Sequence, residues 1–73
     1  MDSGNHLYAV LLGGISEGDD LMEAHRLEFV VASSEKDAKG LAKERFSVEK
    51  VHVDGIRRLE TVDGYAVILE KIG

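Results

Sequence analysis

The first apolar run of the chain is the feature that most constrains its fold. Residues 6–12, HLYAVLL, are hydrophobic at every position after the histidine. Alternate side chains of a strand point to opposite faces, so this run would place apolar residues on both sides of a sheet. The rest of the chain predicts one helix, which can cover one face only. The other face must be buried by association or remain in water.

The short length of the chain also favours association. It has 73 residues and no cysteine. A domain near this size buries only about 60% of the surface that its unfolded chain exposes. Neither disulfides nor cysteine-ligated zinc can add stability, and oligomerisation is the common alternative. We therefore expect a single domain over residues 1–73 that forms a homodimer, with its sheets either stacked or joined at their edges.

The second apolar segment, residues 23–32 (EAHRLEFVVA), alternates with a period of two. This pattern predicts a strand. The larger apolar residues share one side, so we expect the face of this strand that joins the core to consist of Leu27, Phe29 and Val31.

A helix is predicted directly after this strand, from about residue 35 to residue 45. Ser34, with Asp37 three residues later, is a variant of the capping box. Gly40 lies inside the helix, where it costs stability unless a close contact requires it, and we expect it to pack closely against the sheet. The apolar stripe has helical spacing and consists of Ala38, Leu41, Ala42 and Phe46.

The C-terminal part of the chain predicts two further strands. Residues 48–53 alternate until Gly55, which breaks or bulges the strand. Asp63-Gly64 indicates a type I′ hairpin turn, with the last strand over residues 65–70. The predicted fold class is α+β: a small antiparallel or mixed four-stranded sheet with one helix on one face, in the order ββαββ.

Two short motifs combine histidine with a carboxylate, Glu23-x-His25 and His52-x-Asp54. Residues i and i+2 of a strand point the same way, so these four residues form an inventory of ligands for a divalent metal such as zinc or iron. The alternative is that each histidine only bonds a nearby acid. The alternation supports this alternative, because His25 shares the expected core face and His52 lies opposite Val51 and Val53. Adjacent strands would unite the two motifs, whereas an intervening first strand would separate them.

The charge of the chain bears on its partners. Fourteen acidic residues against nine Lys and Arg give a net charge of −5, which disfavours nucleic acid despite the basic pair Arg57-Arg58. The longest apolar run is too short to span a bilayer. The N-terminal residues lack the basic region of a signal peptide. We expect a cytoplasmic protein that binds neither nucleic acid nor membranes.

Four landmarks in sequence order resemble the bacterial domain of unknown function 1543: Leu11-Leu12-Gly13-Gly14, Glu23-Ala24-His25 leading into Phe29-Val30-Val31, His52-Val53-Asp54 and Val62-Asp63-Gly64-Tyr65. The family typically has an acid after the first histidine and an aromatic residue after His-x-Asp, where this chain has Arg26 and Gly55-Ile56. Its members commonly carry two copies of the domain. The resemblance therefore implies a small intracellular bacterial protein whose units pack in pairs, and it implies no activity.

Two functions remain open from the sequence. The first is a homodimeric interaction or structural module without catalysis, whose unknown protein or small-molecule partner binds its surface. For this function we predict no cofactor. The alternative is a metal- or small-ligand-binding protein, even a metal-dependent enzyme, that uses Glu23, His25, His52 and Asp54.

Overall fold

The strands and the helix of the chain follow the order β1, β2, α1, β3, β4, β5 in a computed structural model. It describes residues 4–15, 23–46 and 49–73, and for residues 23 and 49 the backbone alone. The bounds of the elements are β1 His6–Ile15, β2 Glu23–Ala32, α1 Glu35–Glu44, β3 Glu49–Leu59, β4 Thr61–Val62 and β5 Tyr65–Ala66.

The first three strands form one antiparallel sheet in the order β2-β1-β3. The apolar β1 therefore lies in the middle, as its composition predicts. The helix α1 packs on one face of this sheet. Between them lies a core of Tyr8, Val10, Leu12, Val30, Ala32, Ala38 and Ala42, with Leu41, Phe46, Val51, Val53 and Ile56 packed at its margin.

The face of β2 that joins this core is the opposite of the one predicted. Val30 and Ala32 point to the helix and are 2% and 5% exposed. Leu27, Phe29 and Val31 are 54%, 56% and 45% exposed on the other side of the sheet. The small side chains of Ala32, Ala38 and Ala42 let the helix approach closely, so α1 lies on the side with less bulk.

The predicted helix is confirmed to within one residue, and so is its cap. The Ser34 hydroxyl accepts a hydrogen bond from the Asp37 backbone N–H at 3.2 Å, and Ser33 Oγ donates to Asp37 Oδ2 at 3.1 Å. The prediction for Gly40 is wrong: it is exposed, and a Cβ built there would meet no atom within 4 Å. Gly40 lowers helix stability without allowing any close approach.

The Asp63-Gly64 turn is also confirmed, with φ values of 53° and 82°, which are typical of a type I′ turn. The predicted four-stranded sheet is wrong. The turn joins β4 and β5, which form a separate two-stranded sheet. Leu59, the last residue of β3, pairs with Leu7 near the start of β1. The hairpin therefore extends past the end of β1, and no third described strand pairs with it.

Candidate functional site

The face of the main sheet that α1 leaves uncovered, here called the open face, carries four of the nine exposed large hydrophobic side chains of the described residues and both histidines of the predicted motifs. The strand registers place thirteen residues on it. They are Leu7, Ala9, Leu11 and Gly13 of β1; His25, Leu27, Phe29 and Val31 of β2; and His52, Asp54, Gly55, Arg57 and Leu59 of β3.

A β-bulge positions Asp54. Leu11 pairs with Gly55 and Leu12 with Val53, so Asp54 is the extra residue of β3 in this register. A bulge of this kind changes the side to which the following residues point. It keeps Val53 and Ile56 against the core and leaves Asp54 on the same side as His52. The bulge predicted at Gly55 is confirmed.

His25, Asp54 and His52 converge at one end of the open face. Asp54 Oδ1 lies 2.9 Å from His52 Nε2, and Asp54 Oδ2 lies 3.7 Å from His25 Nε2. The Nδ1 atom of His52 lies 3.4 Å from the carbonyl oxygen of Lys50. Because a carbonyl can only accept, this contact is a hydrogen bond when Nδ1 carries the proton. The cluster is accessible, with side-chain exposures of 55% for His25, 49% for His52 and 34% for Asp54.

The expectation that an intervening β1 would keep the two motifs apart is wrong. β1 does lie between the strands, but Gly13 is the register partner of both His25 and His52. Glycine has no side chain to fill the space between the two rings, and Asp54 bridges it. The objection that the histidines occupy different faces also fails, because the side of β2 that carries His25 is the open face.

The fourth predicted ligand, Glu23, lies at the start of β2 opposite Ile15, two pairs beyond the row of Gly13. Its side chain falls outside the described residues. Among the residues whose side chains are described, no group of three or more histidine or acidic side chains is arranged to hold a metal ion as it stands. In the cluster, each histidine contacts one oxygen atom of the Asp54 carboxylate.

The comparison with protein families bears on the same residues. The family model DUF1543, a domain of unknown function, matches residues 20–69 and spans both histidine motifs. The chain belongs to the DUF1543 family. Searches of the curated proteins and of the solved structures found no match to this DUF1543 chain.

The departures of this DUF1543 chain from its family pattern do not remove the cluster. Arg26, which replaces an acid, points to the helix side of the sheet, where its Nε lies 2.5 Å from Glu28 Oε2. Its guanidinium also lies 6.0 Å from the centre of the Phe46 ring. Ile56, in the region of the expected aromatic residue, packs against the core. Arg26 and Ile56 therefore lie on the helix side of the sheet, whereas Gly55, directly after Asp54, lies on the open face and adds no side chain to it.

The described part of this DUF1543 chain has no helix that is long and apolar enough to cross a membrane. Its single described helix, α1, has 10 residues. A membrane-spanning helix needs about 20 residues.

Proposed function

We propose that this DUF1543 domain is a homodimeric interaction module of the cytoplasm, without catalysis of its own, in which the open faces of two copies stack. The observation that carries the proposal is the exposure of Leu11, Leu27, Phe29 and Val31, which are 41–56% exposed on adjacent strands of one sheet face. Contiguous apolar patches of this kind mark association surfaces. The cytoplasmic location is a prediction carried over from the sequence.

The size of the open face supports a partner of the same kind. Strands of ten residues, spaced about 4.8 Å apart with a rise of about 3.3 Å per residue, give a three-stranded face of about 450–500 Å² in projection. Two such faces together bury about 1,000 Å², which is the lower bound for a specific interface. Stacked sheets pack about 10 Å apart, a distance that side chains the size of Leu27 and Phe29 fill from both sides.

The charges on the open face also suit a two-fold pair. Asp54 and Arg57 lie on β3 to either side of the row in which Leu11 pairs with Gly55. A two-fold axis along this row stacks β3 on β3 in the reverse direction. It brings Arg57 of each copy over the row of His52 in the other, where the Asp54 carboxylate lies beside the His52 ring, and an isologous interface makes such a contact twice.

A substitution in the centre of the patch tests the proposal. We expect Phe29→Asp to weaken association by about 2 kcal/mol or more, because it buries a carboxylate in an apolar interface. The matched control is Tyr65→Asp, since Tyr65 is 77% exposed and belongs to the separate β4-β5 sheet. Circular dichroism establishes that both variants are folded. A Phe29→Asp chain that associates as strongly as the Tyr65→Asp control contradicts the proposal.

A charge exchange tests the orientation of the two copies. Arg57→Asp alone and Asp54→Arg alone each place like charges opposite one another, so each should weaken the dimer. The double variant restores opposite charges and should recover much of the loss. Sedimentation velocity measures all three. If the double variant instead loses as much association free energy as the two single variants together, the proposed axis is wrong. The two copies could then still stack, but in another orientation.

A further inference from the structure

We propose that the C-terminal tail of each chain, residues 67–73, packs against the second copy and extends the interface between the two open faces. This inference rests on the proposed dimer and names a further segment of the chain that takes part in it. It is carried by a cavity that the tail forms with the end of the open face.

The tail follows the β4-β5 hairpin and exposes apolar side chains. The Val67 N–H donates a hydrogen bond to the Glu60 carbonyl at 2.8 Å, which continues the hairpin by one row. From there to residue 73 the chain forms neither helix nor strand. Ile68 and Ile72 are 85% and 97% exposed, and Leu69 between them is 36% exposed. Three large apolar residues within five positions form a patch that association would bury.

A cavity of about 440 Å³ lies between this tail and the open face. On the sheet side it is lined by Val31, which pairs with Leu7 in the row of the open face nearest the start of β1, and by Asn5. On the other side it is lined by Leu69, Glu70, Lys71 and Ile72. The apolar surface of the open face therefore continues from Val31 onto the tail.

The area of the open faces favours a second copy as the occupant of this cavity. Two stacked open faces bury about 1,000 Å², which is only the lower bound for a specific interface. The tail lies at the rim of the same face, so a chain stacked on that face also reaches Leu69 and Ile72. Their burial adds apolar area at the point where the open face alone is barely sufficient.

The proposed two-fold axis places an apolar residue of the second copy at this position. Leu7 and Ile15 each lie four residues from Leu11 on β1. An axis along the row of Leu11 therefore lays the row of Ile15 in one copy over the row of Leu7 and Val31 in the other. Ile15 shares the side of Leu11, because β1 pairs with β2 without a shift up to this residue. The tail of one copy thus meets Ile15 of the second copy across the cavity.

Alanine substitution of the two tail isoleucines tests the proposal. Ile72 lines the cavity, whereas Ile68 does not, and both are almost fully exposed in the single chain. We expect Ile72→Ala to raise the dissociation constant of the dimer about 10-fold or more, because an isologous interface contains the change twice, and Ile68→Ala to alter it by less than about twofold. Sedimentation velocity measures both. Neither change removes a packed side chain, so both variants should remain folded.

The outcomes separate this proposal from the dimer itself. A wild-type chain that stays monomeric contradicts the proposed function and, with it, the role of the tail. A dimer that Phe29→Asp dissociates, but that neither isoleucine variant weakens, supports stacked open faces and overturns the role of the tail alone. Native mass spectrometry covers a different occupant: a small molecule that remains on the Phe29→Asp chain and is lost with Ile72→Ala would assign the cavity to a ligand and overturn the proposal.

Single cysteines supply a second measurement, because the chain has none of its own. The thiol introduced by Ile72→Cys should react with iodoacetamide more slowly at protein concentrations where the dimer forms than in the dilute monomer. The thiol introduced by Ile68→Cys should react at the same rate under both conditions. An Ile72→Cys chain whose rate does not depend on protein concentration would show that the tail stays in water and would overturn the proposal.

Discussion

His25 and His52 flank Gly13, the residue of the middle strand that is the register partner of both. Two residues on strands with a third strand between them normally have a side chain in the gap. Gly13 is buried and has only a hydrogen as its side chain, and the bulge at Asp54 brings a carboxylate to both rings. The cluster therefore depends on the glycine at position 13 as well as on the side chains of its three members.

Filling this gap should separate the histidines. We expect Gly13→Val to keep the sheet, since valine suits a strand, but to block the approach of His25 to Asp54. The measurement is the NMR signal of each imidazole with and without Asp54→Asn. In the wild-type background the substitution should shift the signals of both rings, and in the Gly13→Val background that of His52 alone. An equal response of His25 in both backgrounds would show that Gly13 has no part in the cluster.

Replacement of Gly40 should stabilise the chain. A Cβ at this position meets no atom within 4 Å, so Gly40→Ala should gain about 1 kcal/mol from helix propensity alone. This corresponds to a rise in Tm of about 4–8 °C for a domain of this size. Gly64→Ala provides the contrast, because Gly64 has a φ of 82° and an alanine there is strained. Thermal unfolding that ranks the two variants in the reverse order would contradict this account of the glycines.

Loss of the helix cap should destabilise the chain by about 1 kcal/mol. Ser34→Ala leaves the Asp37 backbone N–H without the acceptor that it has at 3.2 Å. Ser33→Ala is the matched control, because the Ser33 hydroxyl bonds only the exposed side chain of Asp37, and we expect a smaller loss. Urea unfolding measures both. Equal losses would mean that the cap does not act through the backbone.

The two apolar faces of the sheet should respond differently to truncation. Leu12 is fully buried beneath the helix, so Leu12→Ala should cost about 3 kcal/mol at every protein concentration. Leu27 is 54% exposed on the open face, so Leu27→Ala should cost little in a dilute monomer and more where the dimer forms. Urea unfolding at two protein concentrations measures this difference. A loss for Leu27→Ala that does not depend on concentration would argue against burial of that side chain by association.

The sequence predicts the local elements well, because their signals lie within a few residues of each other. The Ser34 cap, the helix that follows it and the turn at Asp63-Gly64 depend on backbone hydrogen bonding and on positive φ, and all three are confirmed. The extent of the last strand was not predictable in this way. It depends on where β1 begins, and β1 begins too late to pair with residues beyond Leu59.

The face of β2 was predicted wrongly because both of its sides carry apolar residues near Val31. Hydrophobicity favours the side with Leu27 and Phe29, whereas close packing with the alanines of α1 favours Val30 and Ala32. The same error affected the candidate site, since it assigned His25 and His52 to different faces. The identities of His25, His52 and Asp54 followed from their spacing, but their convergence depends on the register at Gly13.

Sedimentation equilibrium of the unmodified chain over a wide range of concentrations tests the central claim most directly. We expect the apparent mass to rise from 8.0 kDa towards twice that value and to stay there, as two open faces cover each other. A mass of 8.0 kDa at every concentration up to the millimolar range would contradict the claim, because the apolar residues of the open face would then remain in water.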